Sequence, residues 1–227
     1  MHCAAKFYSR LGFGTLAAWI AGPALAANLD IKVLDEHGEP VPDVVIYAER
    51  LDARPGEHLA HPASSQPAVM DQIGSEFVPH ILVVASGTDV VFPNNDTVSH
   101  HVYSFSPTKQ FELDLYRGNI HPPQLFDRPG LVVLGCNIHD SMLGFILVVD
   151  TPYFGKTGGD GALSLSELPA GSYRVRAWTP RTSDRNQPPP QELMVGDLDQ
   201  RAFSFHFTSK LQPPHSTDPG SLEWKHY

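Results

Sequence analysis

Cysteine is nearly absent from this 227-residue chain, occurring only as Cys3 and Cys136. That scarcity excludes the disulfide framework that staples many small exported domains. Helix signals are equally scarce: Pro occurs 21 times and Gly 18 times, and no amphipathic helix stands out between them. Charge is sparse and leans acidic, with 25 Asp and Glu against 16 Lys and Arg, which argues against nucleic-acid binding. Beyond residue 26 no apolar run approaches the roughly 20 residues that a spanning helix needs, so no transmembrane segment is expected.

What is present begins with a leader. Lys6 and Arg10 form a basic start, Leu11 to Ala21 an apolar middle, and Ala24-Leu25-Ala26 a small-residue cleavage site. Residues 1–26 therefore read as a signal peptide, and the product as a periplasmic protein. Cleavage removes two of the 16 basic residues and none of the 25 acidic ones, which deepens the formal charge of −9. It also removes Cys3, leaving Cys136 as a single thiol in an oxidising compartment. Such a thiol packs as a small hydrophobe or serves a chemical purpose.

Short β-branched runs between turn residues predict an all-β protein. The expected strands are Leu29 to Leu34, Val44 to Glu49, Ala68 to Ile73, Ile81 to Val84, Asp89 to Phe92, His101 to Phe105 and Gln110 to Tyr116. They continue with Gly130 to Leu134, Gly144 to Val149, Ala162 to Leu165, Ser172 to Trp178, Gln191 to Val195 and Arg201 to Phe207. Turn signals such as Ser86-Gly87, Pro93-Asn94-Asn95-Asp96 and Asp160-Gly161 separate them. Residues 50–67 and 182–190 read as linkers or surface loops, and 210–227 as a loose tail.

Cys136 lies in the run Cys136-Asn137-Ile138-His139-Asp140-Ser141-Met142. Thiolate, imidazole and thioether thus recur at three-residue intervals on one short loop between two expected strands. Soft sulfur donors suit Cu(I) and imidazole suits both copper states, so this set fits a type 1 copper site of two His, one Cys and a weak axial Met. The second imidazole must come from elsewhere, and Ser99-His100-His101-Val102 supplies two candidates. Thioether is a poor zinc ligand, which disfavours a structural zinc site. A Cys136–His139 nucleophile pair would need a third orienting group that the sequence does not offer. His37, His58, His61, His80, His121, His206, His215 and His226 show no ligand spacing and read as surface or packing residues.

The stretch from Glu76-Phe77-Val78-Pro79 through Thr88 to Asn94, then His100-His101-Val102 and Gly135-Cys136 to Val149, resembles the cupredoxins, with plastocyanin and amicyanin nearest. The wider layout resembles exported bacterial proteins of the methylamine-utilisation type. The resemblance implies one copper ion held by His100, Cys136, His139 and Met142. Strand alternation points His100 and Val102 to one face and His101 to the other, and His101 remains the alternative ligand. Two departures stand out: His101 follows the first ligand where Asn is usual, and Ile138 precedes the second where Pro is common. Ile138 keeps an N–H that, aimed at the sulfur, would raise the potential.

A second resemblance lies on either side. Leu34 to Val44 and Asp160 to Val175, with Gly38-Glu39-Pro40-Val41 and Leu168-Pro169-Ala170-Gly171, are similar to carboxypeptidase-regulatory or transthyretin-like sandwiches. The expected architecture is a Greek-key cupredoxin β-sandwich, residues 66–152, inserted into or joined to a second small β-sandwich built from 27–50 and 153–209. The expected function is single-electron transfer between a redox donor and acceptor, for example a c-type cytochrome or a periplasmic oxidoreductase. No enzymatic turnover is expected, because protein fills all four metal positions. The alternatives are a copper-delivery module and a non-redox β-sandwich binding protein.

Overall fold

A computed structural model describes residues 27–53, 66–196 and 200–214. The expected signal peptide, most of the 50–67 linker and the tail from 215 onward lie outside the described residues. The described chain is all-β, with one short 3-10 turn at Asp184–Asn186. No helix among the described residues is long and apolar enough to cross a membrane.

Alternation builds the first strand. In β1 (Ala27–Leu34), Ala27, Leu29, Ile31 and Val33 are buried, while Asn28 and Lys32 face out. β1 lies between β14 (Ala162–Leu168), antiparallel to it, and β17 (Gln200–His206), parallel to it. β2 (Val45–Arg50) lies between β13 (Phe154–Lys156) and β15 (Gly171–Trp178), with β16 (Gln191–Val195) at the far edge. Both strands that precede residue 53 thus pair with strands that follow residue 153. Their two sheets face each other over a core of Leu29, Ile31, Ile46, Tyr173, Val175, Phe205 and Phe207.

The intervening strands pair among themselves. A five-stranded sheet runs in the order β6 (Ile81–Ala85), β12 (Leu143–Val149), β11 (Gly130–Cys136), β8 (His100–Ser106) and β9 (Lys109–Tyr116). Opposite it stand β3 (Ala68–Val69), β7 (Thr88–Val91) and β10 (Gln124–Phe126), with the hairpin β4 (Asp71–Ile73) and β5 (Glu76–Val78) alongside. Met70, Phe77, Phe92, Val102, Phe126, Leu134 and Ile146 form the second core, and Cys136 and Met142 belong to it.

A third, smaller core joins the two halves. Val45 and the partly buried Tyr47 and Trp178 on the four-stranded sheet meet Ile81, Leu147 and Val149 on the five-stranded sheet. In β12, residues Ile146 to Val149 are buried without a break, because Ile146 and Val148 face one core and Leu147 and Val149 the other. An unbroken apolar run is the pattern of a strand covered on both faces.

Three corrections to the expected strands follow. Ala68 to Ile73 is not one strand: it breaks at the buried Met70, whose N–H donates to Val91 O at 3.0 Å, so β3 pairs with β7 and β4 with β5. The strands β5, β10 and β13 were not anticipated, since three residues are too short to show a period. Residues 182–190, read as loop, contain the 3-10 turn.

Candidate metal centre

Strand register assembles the site at one end of the second core. β11 pairs with β12 from Gly130↔Val148 to Gly135↔Leu143, so residues 136–142 become the connecting loop. On its other side Cys136 lies opposite Val102, which places the start of β8 beside the thiol. Two hydrogen bonds tighten the loop: Asn137 N–H to His101 O at 3.1 Å, and Met142 N–H to His139 O at 3.0 Å. Glycines flank it for steric reasons. A Cβ on Gly135 would come within 2.7 Å of the Tyr103 ring, and one on Gly144 within 2.8 Å of Phe77.

Three donor atoms converge there. His100 Nδ1 and His139 Nδ1 are 3.1 Å apart, and each lies 3.7 Å from Cys136 Sγ. Donors at about 2.0–2.3 Å from one ion, spread at tetrahedral to trigonal angles, would sit roughly 3.3–3.7 Å from one another. The two Sγ–Nδ1 edges have that length and the Nδ1–Nδ1 edge is slightly shorter, so a small opening of the triangle would let one ion share all three donors. His100 is fully buried, Cys136 is 4% exposed and Met142 2% exposed, whereas His139 is half-buried. Burying unpaired imidazole and thiol groups is costly, and a metal ion is one way to offset that cost.

His100 Nε2 faces the Asp96 carboxylate at 2.9 Å. If that nitrogen carries the hydrogen, as the contact requires of a neutral ring, Nδ1 presents its lone pair toward Cys136. Asp96 is itself fixed by the Ser75 N–H and the Thr97 N–H, both at 2.6 Å. Burial alone would push the Asp96 carboxyl up, but the Ser75, His100 and Thr97 donors outweigh it and hold the group at about 2. Asn94 anchors the same loop: its Nδ2 donates to Val98 O at 3.0 Å and Tyr116 O at 2.8 Å, and its Oδ1 accepts the Asp96 N–H at 2.9 Å.

Of the five sequence candidates, the structure brings together His100, Cys136 and His139, with Met142 buried in the core that Cys136 belongs to. His101 points to the opposite face of β8, where its Nε2 meets Glu112 Oε1 at 2.7 Å, near Asp114. The Ile138 N–H is not among the partners of Cys136 Sγ; among the described residues those are the two imidazole nitrogens. Sequence reasoning missed Asp96 and Asn94. Both sat inside a stretch read only as a turn, and the available signal was an acid four residues before His100.

The other histidines in the described region have ordinary surroundings. His37 lies 3.4 Å from Glu36, His80 packs edge-on against Phe145, His121 against Tyr116, and His206 contacts Ser204. His58, His61, His215 and His226 lie outside the described residues. At Asp160-Gly161, the Gly161 N–H returns to Gly158 O at 2.9 Å, which makes a turn.

The chain matches no family model and no curated protein. Solved structures similar to it include a purple cupredoxin from Nitrosopumilus maritimus, at 21% identity over 36% of this chain and 99% of that one, with a TM-score of 0.33. Another is a copper-containing nitrite reductase from Thermus scotoductus, at 24% identity and TM-score 0.36, over 41% of this chain and 25% of that one. A reduced amicyanin variant matches at 19% identity and TM-score 0.33, over 45% of this chain and 99% of that one.

Proposed function

We propose that this chain is an exported cupredoxin-type protein that carries single electrons between redox partners, using one type 1 copper ion and catalysing no reaction of its own. The observation that carries the reading is the triangle of two Nδ1 atoms and one Sγ, with 3.1–3.7 Å edges, at the buried end of a β-sandwich. Bound copper would supply a one-electron couple between Cu(I) and Cu(II). The chain supplies a donor set acceptable to both states, on strands that need not move when the charge changes.

Each ligand has a distinct task. Cys136, as thiolate, provides the soft donor from the last position of β11. His100 is immobilised by Asp96 and by the start of β8. Met142 supplies a weak thioether and an apolar wall that keeps water away. His139 is the partly exposed imidazole, bordered by Ile138 at 50% and Leu143 at 42% exposure. Its edge is the route by which an electron would enter and leave. A charged or polar rim would favour rapid docking, while the apolar surround permits close approach and short-lived complexes.

The first 26 residues, with their basic start and small-residue cleavage site, support export to the periplasm. Residues 66–152 are the copper-binding unit in this reading, while 27–50 and 153–209 form its support. Addition of Cu(II) to the mature protein is expected to produce intense thiolate-to-copper absorption, with reversible one-electron voltammetry. A colourless complex would overturn the type 1 assignment. Rapid surrender of Cu(I) to a chelator would instead identify a copper-delivery module.

A further inference from the structure

We infer that Asp96 is a positioning and potential-setting residue, whose buried carboxylate favours Cu(II) over Cu(I) through His100. The inference rests on the copper reading above. It starts from an asymmetry between the two imidazoles. The His100 side chain is fully buried and Asp96 is 8% exposed at the side chain, with 2.9 Å between Nε2 and Oδ2. His139, by contrast, has no acidic partner among the described residues.

A carboxylate on the outer nitrogen acts in two ways. It fixes the tautomer and ring orientation, and it raises the electron density of the nitrogen facing the metal. Its negative charge also interacts more strongly with a dipositive than with a monopositive ion, and burial prevents solvent from cancelling that difference. Both effects stabilise the oxidised state.

Among the described residues no cationic side chain contacts the carboxylate. Arg117 reaches the backbone carbonyl of Asp96, at 3.4 Å, rather than its carboxylate. The other contacts to the carboxylate are the neutral amides of Ser75 and Thr97 and the Thr97 hydroxyl. The carboxylate is held in place by the Ser75 and Thr97 N–H groups, each at 2.6 Å, while Asn94 Oδ1 holds the Asp96 backbone N–H at 2.9 Å. The acid lies four residues before the ligand, in a turn that folds back, so the fixed charge and the ligand belong to one rigid loop.

The test compares copper-loaded wild type with Asp96→Asn, Asp96→Ser and Asn94→Ala. The first two remove the charge but keep an acceptor near His100. The third loosens the same loop and keeps the charge. Both Asp96 variants should retain the thiolate absorption while the ratio of Cu(II) to Cu(I) affinity falls about tenfold. For a one-electron couple that is a rise of about 59 mV. Asn94→Ala should move the potential by less than a third of that amount.

An unchanged potential in both Asp96 variants overturns the inference. So does an equal rise in Asn94→Ala, which would make the effect one of loop order. If both Asp96 variants fail to fold, Asp96 is a folding residue and the inference is again overturned. Failure of the copper reading looks different, since wild type itself would then show no thiolate absorption.

Discussion

The two sandwiches of this molecule obey the same alternation rule and end differently. The core around Tyr173 closes with aromatic and aliphatic side chains: Phe205 and Phe207 are each 1% exposed, and the Tyr173 hydroxyl donates to Pro169 O at 2.9 Å. The core around Leu134 opens at one end onto Cys136, His100 and Met142. Strand pattern therefore determines that a sandwich forms, while the loop 136–142 together with His100 distinguishes the one that gathers metal-ligating side chains. The candidate ligands sit at two strand ends, His100 on β8 and Cys136 on β11, and on the loop that follows.

The sharpest way to separate the halves is to damage one core. Tyr173→Ala should cost about 4 kcal/mol in stability, in the range seen for large aromatic truncations, measured by denaturant unfolding. Copper absorbance per folded molecule should not change. A loss of colour in the folded fraction would show that the flanking sandwich shapes the copper loop.

Cys136→Ala is the converse. It should abolish the thiolate band and weaken copper binding by about tenfold or more, roughly 1.4 kcal/mol, because the softest donor of the set is lost. Calorimetric titration measures the affinity. The metal-free melting temperature should move little, because Ala keeps the site's backbone and loses a single sulfur.

The joining core tests whether the halves are separate at all. Leu147→Ala should cost about 2 kcal/mol, at the low end for buried leucine since its site is 7% exposed. The stabilities of both halves, followed by copper colour for one and by hydrogen exchange of the β15 amides for the other, should shift together. Independent shifts would mean that the Val45, Ile81, Leu147 and Val149 contact does not couple the two. The smallest effect belongs to His101→Ala, which removes a half-exposed pair with Glu112 worth about 0.2–1 kcal/mol. Its absorption spectrum should match that of wild type.

Much of this contrast was readable before the structure. Leu29, Ile31 and Val33, or Tyr173, Val175 and Ala177, announce their strands because each shows a face of period two. Alternation also separated His100 from His101, and the spacing of Cys136, His139 and Met142 marked the loop. Other features were hidden for definite reasons. The pairing of β5 with β4, or β13 with β2, is decided by partners and not by three-residue strings. The joining core was obscured because Leu147 and Val149 look like any buried strand, and nothing in one segment says which sheet covers its second face. Asp96 was hidden because an Asp in an Asn-Asn-Asp run is already explained as a turn former.

The position of β1 between β14 and β17 also bears on how the chain folds. Gln200 Nε2 reaches Asp30 Oδ2 at 3.3 Å across a separation of 170 residues. Synthesis supplies β1 and β2 first, and their hydrogen-bonding edges have no neighbours until β13 to β17 arrive. The intervening strands need no such delay, because their partners all lie between residues 68 and 149. Closure of the outer sandwich is thus the late, long-range step, and long-range pairing is slow. The central segment can form early, because it waits for no strand outside residues 68–149.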